Sequence, residues 1–445
     1  MRTLKHALSS VAVLLTIVCA VIPARAQLSG NYSIGSGGDY SSFASALAAL
    51  GSQGVSGPVH FAVHAGTYNE YVFVGEFSGV SATNTVTFDG GSGNAATRVL
   101  TYAITWNYGA VLTLDGADYV RFRNLTIAST GPSYGFAVKF ANAADHNEIS
   151  DCVITTPANT ASTYHRGIVT ASLTSSPSYG DHGSYNLIRD NVIESGYYGI
   201  QWYGASSSDY TVSRENHFIG NTVKDFHYYG IYMGGGGAQV LRGNSVVQRS
   251  SGAFSTSGGY GIYMNYCNDG PEVSGNYCRT ASNALRLYNH NRYASSPAVR
   301  ACAYNNMLIS DGTGTAYGMY VYYCQNTDVY FNSCRAASAT GTVYGIYAGG
   351  SSSSDVRIVN NIVGCETSGT LRPVYVSSTS AFTAFDYNIL YSGGTPSAES
   401  WLWESTTYAS LAAMQAAVPG YHQHSQDADP FWVAADNLHS TSPYA

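Results

Sequence analysis

One short phrase, most often Tyr-Gly-Ile-Tyr, returns nine times between residues 135 and 373 of this 445-residue chain. Its clearest copies centre on Gly199, Gly230, Gly261, Gly318 and Gly345; Gly135 and Gly167 precede them, and Ala284 and Pro373 hold the same place in weaker copies. The intervals run from 23 to 34 residues. Self-similarity at this period predicts a solenoid, in which each repeat buries its apolar face only against its neighbours. A solenoid grows by adding repeats, so the length does not imply two or three separate domains.

A second column supports the coil. Asn124, Asn191, Asn221, Asn244, Asn276, Asn306, Asn332, Asn361 and Asn388 recur in the frame apolar-x-x-Asn-x-apolar, with Cys152 in the slot between the first two. Asn tolerates the left-handed backbone of a tight turn, and its amide can bond to the same group one turn above. Two short strands meeting at the Asn, and a third carrying the Gly phrase, make one three-stranded coil.

The Gly phrase reads as a strand. Ile200, Ile231, Ile262, Leu285, Met319, Ile346 and Val374 follow the Gly position and face the core, as do Trp202, Met233, Met264, Leu287, Val321, Ala348 and Val376 two places on. The residues between must face outward: Gln201, Tyr232, Tyr263, Arg286, Tyr320, Tyr347 and Tyr375. Tyr203, Tyr288 and Tyr322 form a second outward column. One outer face is therefore expected to carry a ladder rich in tyrosine. Such stacking steadies a sheet by a few tenths to about 1 kcal/mol per pair; the same rings also form a platform on which sugar rings can lie.

Composition narrows the partners. Charged residues make up 11% of the chain, with 38 Tyr and 48 Gly. The N-terminus has Arg2 and Lys5, an apolar run from about Val11 to Ile22, and Ala24-Arg25-Ala26 before Gln27, the pattern of an export signal over residues 1–26. The run is too short for a comfortable membrane span, and Val18 before Cys19 does not match a lipoprotein signal. Cleavage removes three basic residues and leaves 17 against 27 acidic ones, a balance that argues against nucleic acid. A secreted or cell-surface protein is expected.

Seven cysteines remain: Cys152, Cys267, Cys278, Cys302, Cys324, Cys334 and Cys365, an odd number without zinc-site spacing. Cys278 and Cys334 fall in the core column filled elsewhere by Val223, Val246, Leu308 and Val363. Cys267 and Cys324 lie two turns apart, roughly 9–10 Å, too far for a disulfide. Buried free thiols are the simpler reading.

These columns resemble those of right-handed parallel β-helix proteins of the pectin-lyase-like superfamily, in their secreted bacterial form. Gly37-Gly38-Asp39-Tyr40-Ser41-Ser42-Phe43, followed by Ala46, Leu47 and Leu50, resembles the helix that plugs the first coil, and Gly57-Pro58-Val59 with Ala65-Gly66-Thr67-Tyr68-Asn69-Glu70 its first strand and turn. Leu411 to Ala417, then Asp427-Ala428-Asp429-Pro430-Phe431, are similar to a C-terminal cap; Asn437-Leu438-His439 and Ser442-Pro443 resemble the start of a closing motif. The resemblance implies an all-β helix of about ten coils, a rod of about 50 Å. Residues 27–56 would form the front cap, 57–398 the coils and 399–445 the rear cap. The motif stops abruptly, which implies further C-terminal sequence such as a surface-sorting domain.

The superfamily includes pectate lyases, pectin methylesterases and polygalacturonases, and their catalytic sets do not carry over. Asn326-Thr327-Asp328 matches one polygalacturonase-like element, but no Asp-Asp or Arg-x-Lys follows, and Gly180-Asp181-His182-Gly183 lies upstream of it. The methylesterase-like Gln-Asp-Thr is absent, and Arg372-Pro373 lacks the second Arg of a lyase-like motif. No paired carboxylates announce a glycosidase and no Asp cluster announces calcium, so no cofactor is implied.

The best catalytic candidates lie in the long turn 151–191: His165, Arg166, Asp181 and His182, with Tyr164, Tyr179 and Tyr185. An Arg to neutralise a uronate and a His or Tyr to move a proton would serve a polysaccharide lyase; solvated loop residues are the plainer alternative. Two places before the Gly, His165, Tyr197 and Tyr228 share a column with His227 beside it. Binding of extracellular polysaccharide on the Tyr face is the first expectation. A divergent lyase or hydrolase is the second, and a structural spacer the third.

Overall fold

The computed structural model describes residues 26–251, 258–293, 295–296 and 298–441. Residues 1–25, which carry the expected export signal and Cys19, and Ser442-Pro443 lie outside the described residues. The chain winds through three sheets of 13, 12 and 14 strands, each coil strand pairing in parallel with its counterpart one turn on, and the third sheet ends in an antiparallel pair, Trp401–Trp403 with Thr406–Tyr408. Here the first sheet is the one preceding the Asn corner, the second follows that corner, and the third carries the Gly phrase. The coil count exceeds the expected ten, at about 13, because the front coils fold without the phrase from which the repeats were counted. At about 4.8 Å per turn the rod is about 60 Å long.

The front is closed by helix α1 (Phe43–Gln53), whose Ser42 caps it through Ser45 and which buries Phe43, Ala46 and Leu50. Glu70 adds a charged cap, its carboxylate accepting from the Phe43 and Ala44 amides at 3.0 Å each. At the rear, helix α2 (Leu411–Ala417) buries Leu411 and Met414. Between them the core is a set of axial columns. In the first sheet Phe61, Phe88, Phe122, Ile149, Ile188 and Phe218 pair in succession, and the first three rings stack at 4.9 and 4.8 Å. In the second sheet Val223, Val246, Cys278, Leu308, Cys334 and Val363 pair in succession. All seven cysteines are free thiols, every one buried except the half-buried Cys302. Burial pushes the Cys152 thiol up to about 12, so these groups behave as small apolar fillers.

Buried amides hold the corner between the first and second sheets. Each Asn from 191 to 361 donates its backbone N–H to the side-chain oxygen of the Asn one turn on, at 2.9–3.1 Å. Its own Nδ2 donates to a carbonyl of the turn before, as Asn221 does to Ile188 at 2.8 Å. The ladder ends where the Asn388 amide donates to Ser425 Oγ of the rear cap.

Two expectations need correction here. Asn124 is not a rung: the pairing sets Leu125, Cys152 and Asn191 in line, and Asn124 instead donates to Asp89 at 2.8 Å. Nor do the rungs take the left-handed conformation. It falls on the residue before each rung, including Asp190 (φ 56°), Gly220 (66°), Asn305 (54°) and Asn360 (56°), with Asn124 (54°) in that same position.

The Gly column has a packing cause. A Cβ on Gly230 would lie 2.2 Å from Val246 Cγ1 and 2.8 Å from the Gly261 carbonyl, and one on Gly199 2.2 Å from Val223 Cγ1. At these two coils the third sheet thus turns in over the second with no room for a methyl group, whereas the coil after Gly261 accommodates Ala284 at the same place. Gly135 does not belong to this column. Pairing aligns Phe136 with Arg166, so Ala137 stands opposite Gly167.

Two substitutions check the ladder. Asn221→Ala removes both its acceptor and its donors from a fully buried site and should cost roughly 3 kcal/mol or more. Asn124→Gly keeps the left-handed backbone and should cost under about 1 kcal/mol. Thermal unfolding of the two variants should show a large fall in midpoint for the first and a small one for the second; equal falls would contradict the register described.

Candidate functional site

Consecutive inward residues set the geometry of the third sheet's outer face. Gly199 and Ile200 both point in, so Tyr198 before them and Gln201 after them both point out. Two outward columns result. One runs Arg166, Tyr198, Tyr229, Tyr260, Asn283, Tyr317, Tyr344 and Arg372. The other runs Gln201, Tyr232, Tyr263, Arg286, Tyr320, Tyr347 and Tyr375. Tyr203, Tyr288 and Tyr322 add the shorter third column, with Gly234 and Asn265 between the first two. The second and third columns are those read from the sequence.

The rings lie at strand spacing. Tyr198–Tyr229 and Tyr229–Tyr260 stack at 5.0 and 4.8 Å, Tyr317–Tyr344 at 4.9 Å. Tyr320–Tyr347 and Tyr347–Tyr375 stack at 4.7 Å, the latter within 2° of parallel. Tyr232 and Tyr263 break the pattern by meeting edge-on at 90°. The tyrosines are half-buried, the stacked rings covering one another's faces. Tyr197, Tyr228 and His227 extend the aromatic surface round the corner: Tyr197 stacks on His227 at 5.0 Å and on Tyr228 at 5.6 Å, and Tyr228 meets Tyr229 edge-on.

Charge is segregated across the molecule. The nine third-sheet strands from Gly135–Ala141 to Thr370–Val376 contain no Asp or Glu. They do contain Lys139, Arg166, Arg286 and Arg372, and among the described residues none of these four has a carboxylate within 4 Å. Arg–carboxylate pairs lie elsewhere, as in Arg123–Glu148 (2.6 Å), Arg242–Glu272 (2.8 Å) and Arg335–Glu366 (2.8 Å). Asp328 of the Asn-Thr-Asp motif belongs to that set, held between Arg300 and Arg357 at 2.6 Å each.

The four cations differ in access. Lys139 is buried, donates to the Tyr108 and Leu173 carbonyls, and is pulled by burial to about 8. Arg166 is buried against Phe136 and Tyr198 and donates to Thr163 O at 2.7 Å and Gln201 Oε1 at 2.6 Å. Arg286 and Arg372 are half-buried. Arg372 donates to the Tyr344 hydroxyl at 2.9 Å.

The 151–191 residues do not converge on one cleft. His165 opens the strand His165–Thr170, whereas Asp181 and His182 follow its far end, about 16 Å away along an extended strand. His165 is 1% exposed, and both ring nitrogens are engaged: Nε2 donates to Gly131 O at 3.0 Å and Nδ1 accepts from Thr160 Oγ1 at 2.7 Å. His182 is 4% exposed, with Nε2 donating to Ser178 O at 3.0 Å. Burial lowers the pKa of both rings, so they are neutral packing groups at neutral pH. Asp181 is exposed, and Arg166 faces the tyrosines.

Sequence reasoning missed the Tyr198 column, although the Tyr before each Gly was its signal. It also missed a second ladder at the corner from the third sheet to the first, where Asn147 N–H donates to Asn186 Oδ1 and Asn186 N–H to Asn216 Oδ1. No group of three His, Cys, Asp or Glu among the described residues could hold a metal ion.

Residues 210–381 match a family model described as a right handed beta helix region. Among solved structures, the chain is similar to a GH136 lacto-N-biosidase from Eubacterium ramulus, with TM-score 0.45 and 10% identity over 84% of this chain and 67% of that one. It is also similar to the mannuronan C-5 epimerase A-module of Azotobacter vinelandii (TM-score 0.37, 10% identity, 87% and 96% covered). A third is the pectin methylesterase of Aspergillus niger (TM-score 0.32, 15% identity, 74% and 89% covered). No curated protein sequence matches the chain significantly.

The tyrosine face makes a pH prediction. Burial raises Tyr198 and Tyr347 to about 12, above their usual 10. A phenol that ionises later when folded stabilises the fold below pH 10 and loses that contribution as pH rises toward 12. Tyrosinate absorbance should show a class of residues that titrates only as the protein unfolds in this window; free titration of every tyrosine near pH 10 would contradict the packing described.

Proposed function

We propose that this right-handed parallel β-helix protein binds extracellular polysaccharide on the tyrosine-rich outer face of its third sheet. The observation that carries the reading is the continuity of that face. Half-buried rings repeat at 4.7–5.0 Å from Tyr198 to Tyr260 and again from Tyr317 to Tyr375. Because these ring faces are stacked on one another, the surface offered outward is a row of ring edges and phenol hydroxyls, and the hydroxyls supply hydrogen bonds to sugar hydroxyls. The rings are held by their neighbours before any ligand arrives, so little side-chain entropy is lost on binding.

The export signal read in the sequence supports an extracellular setting, and the acidic overall balance of −7 is unsuited to nucleic acid. A lyase or hydrolase built on His165 and His182 has less support, since a proton carrier needs a free nitrogen within reach of substrate. Both histidines are buried and spend Nε2 on a backbone carbonyl.

A glycan array followed by titration calorimetry tests the reading. The protein should retain at least one polysaccharide, and Tyr320→Ala with Tyr347→Ala should weaken that binding about tenfold or more, about 1.4 kcal/mol. Retention of no glycan would favour a spacer. Unchanged affinity in the double variant would place the contact elsewhere, and release of unsaturated uronides would point to a lyase.

A further inference from the structure

The face proposed to bind polysaccharide also carries a charge pattern that selects the kind of polysaccharide. Arg286 sits inside a cage of four tyrosines, its guanidinium 4.2 Å from the Tyr320 ring centroid, 4.9 Å from Tyr263, 5.1 Å from Tyr288 and 5.7 Å from Tyr260. Its Nε is buried without a hydrogen-bond partner. Arg372 repeats the arrangement between Tyr344 and Tyr375 at 5.4 and 5.6 Å, and its Nε is likewise buried and unpartnered. Burying a cation without a counter-charge is costly, and ring faces offset only part of that cost. Elsewhere in this acidic chain arginines commonly recruit a carboxylate, yet nine successive strands here offer none. The two cations are kept half-exposed and uncompensated on one face.

Their spacing is the second observation. Arg286 and Arg372 belong to strands three turns apart in the third sheet and are offset by three residues along the strand, since Arg286 lines up with Tyr375, so they stand about 17 Å apart at parallel-strand spacing. The turns between present only Tyr317, Tyr320, Tyr322, Tyr344 and Tyr347 and small residues. Phenols are neutral donors. A carboxylate laid over them gives up water for a weaker partner, whereas one at a guanidinium gains a charge-assisted pair.

Resting on the polysaccharide reading, we infer that the ligand is an acidic heteropolysaccharide with spaced sugar carboxylates, which meet Arg286 and Arg372 while uncharged sugars lie over the tyrosines between. A polymer with a carboxylate on every residue fits this face less well than one whose charges are separated by neutral sugars.

The test uses three probes in titration calorimetry with the whole protein: gellan, whose repeat carries a single carboxylate; the same gellan with its carboxyls reduced to alcohols; and polygalacturonate, charged on every residue. Gellan should bind at least tenfold more tightly than either of the others. Arg286→Gln should lose about tenfold against gellan and markedly less against reduced gellan. Arg372→Gln should show the same selective loss from a side chain with fewer ring contacts, so a folding defect at Arg286 does not decide the matter. The inference is overturned if both variants keep wild-type affinity for gellan, or if polygalacturonate binds more tightly than gellan. Tight, equal binding of gellan and reduced gellan overturns it while leaving the tyrosine platform standing; failure of all three polymers to bind also overturns it, and the platform then falls only if the glycan array retains nothing.

Discussion

The structure depends on one buried interaction, the amide ladder at the corner between the first and second sheets. Each rung satisfies a backbone N–H and a carbonyl of the turn before, in an interior from which water is excluded. An unmade bond there would cost far more than a made one contributes. The ladder therefore fixes the axial register of every coil from Asn191 to Asn388, where the rear cap takes over through Ser425. With register fixed, like residues fall above like, and a repeated Tyr becomes a stack rather than a scatter of exposed rings.

From that register follows the division of labour among the three sheets. The first and second sheets face solvent with paired charges, such as Glu148 with Arg123 and Arg189, and Glu366 with Arg335. These pairs settle the local charge, and at the buried Glu148 they satisfy a carboxylate that would be costly to leave alone. The third sheet follows a different rule. Its cations lie against rings and carbonyls, its phenols stay protonated well past neutral pH, and its strands hold no acid. An outer face with donors in excess and carboxylates absent is suited to hydroxyls and oxyanions.

The fold was largely legible because a solenoid writes its contacts into the sequence at a fixed period. The core columns and the outward Tyr232-to-Tyr375 column were readable from spacing, whereas the front helix and the rear cap were readable only from their resemblance to a known family's caps. What was lost has physical causes. Gly199 and Ile200 point inward in succession, so strict alternation gave no place to Tyr198 and hid a whole column of rings. Asn124 resembles a rung but occupies the left-handed position beside it, where Asn is equally at home. The Asn147–Asn186–Asn216 ladder spans too few turns to register as a repeat. The 151–191 turn offered suitable residue types, but sequence does not show that His165 spends both nitrogens on its own scaffold.

Polysaccharide binding by the tyrosine face is the central claim, and hydroxyl-radical footprinting with and without a bound polysaccharide tests it most directly. The account predicts protection of Tyr232, Tyr263, Tyr320, Tyr347 and Tyr375, with unchanged labelling of Tyr71 and Trp106, which are exposed at the front of the rod. Protection confined to Tyr164, Tyr179 and Tyr185 in the 151–191 turn, or to Tyr71 and Trp106, would contradict it.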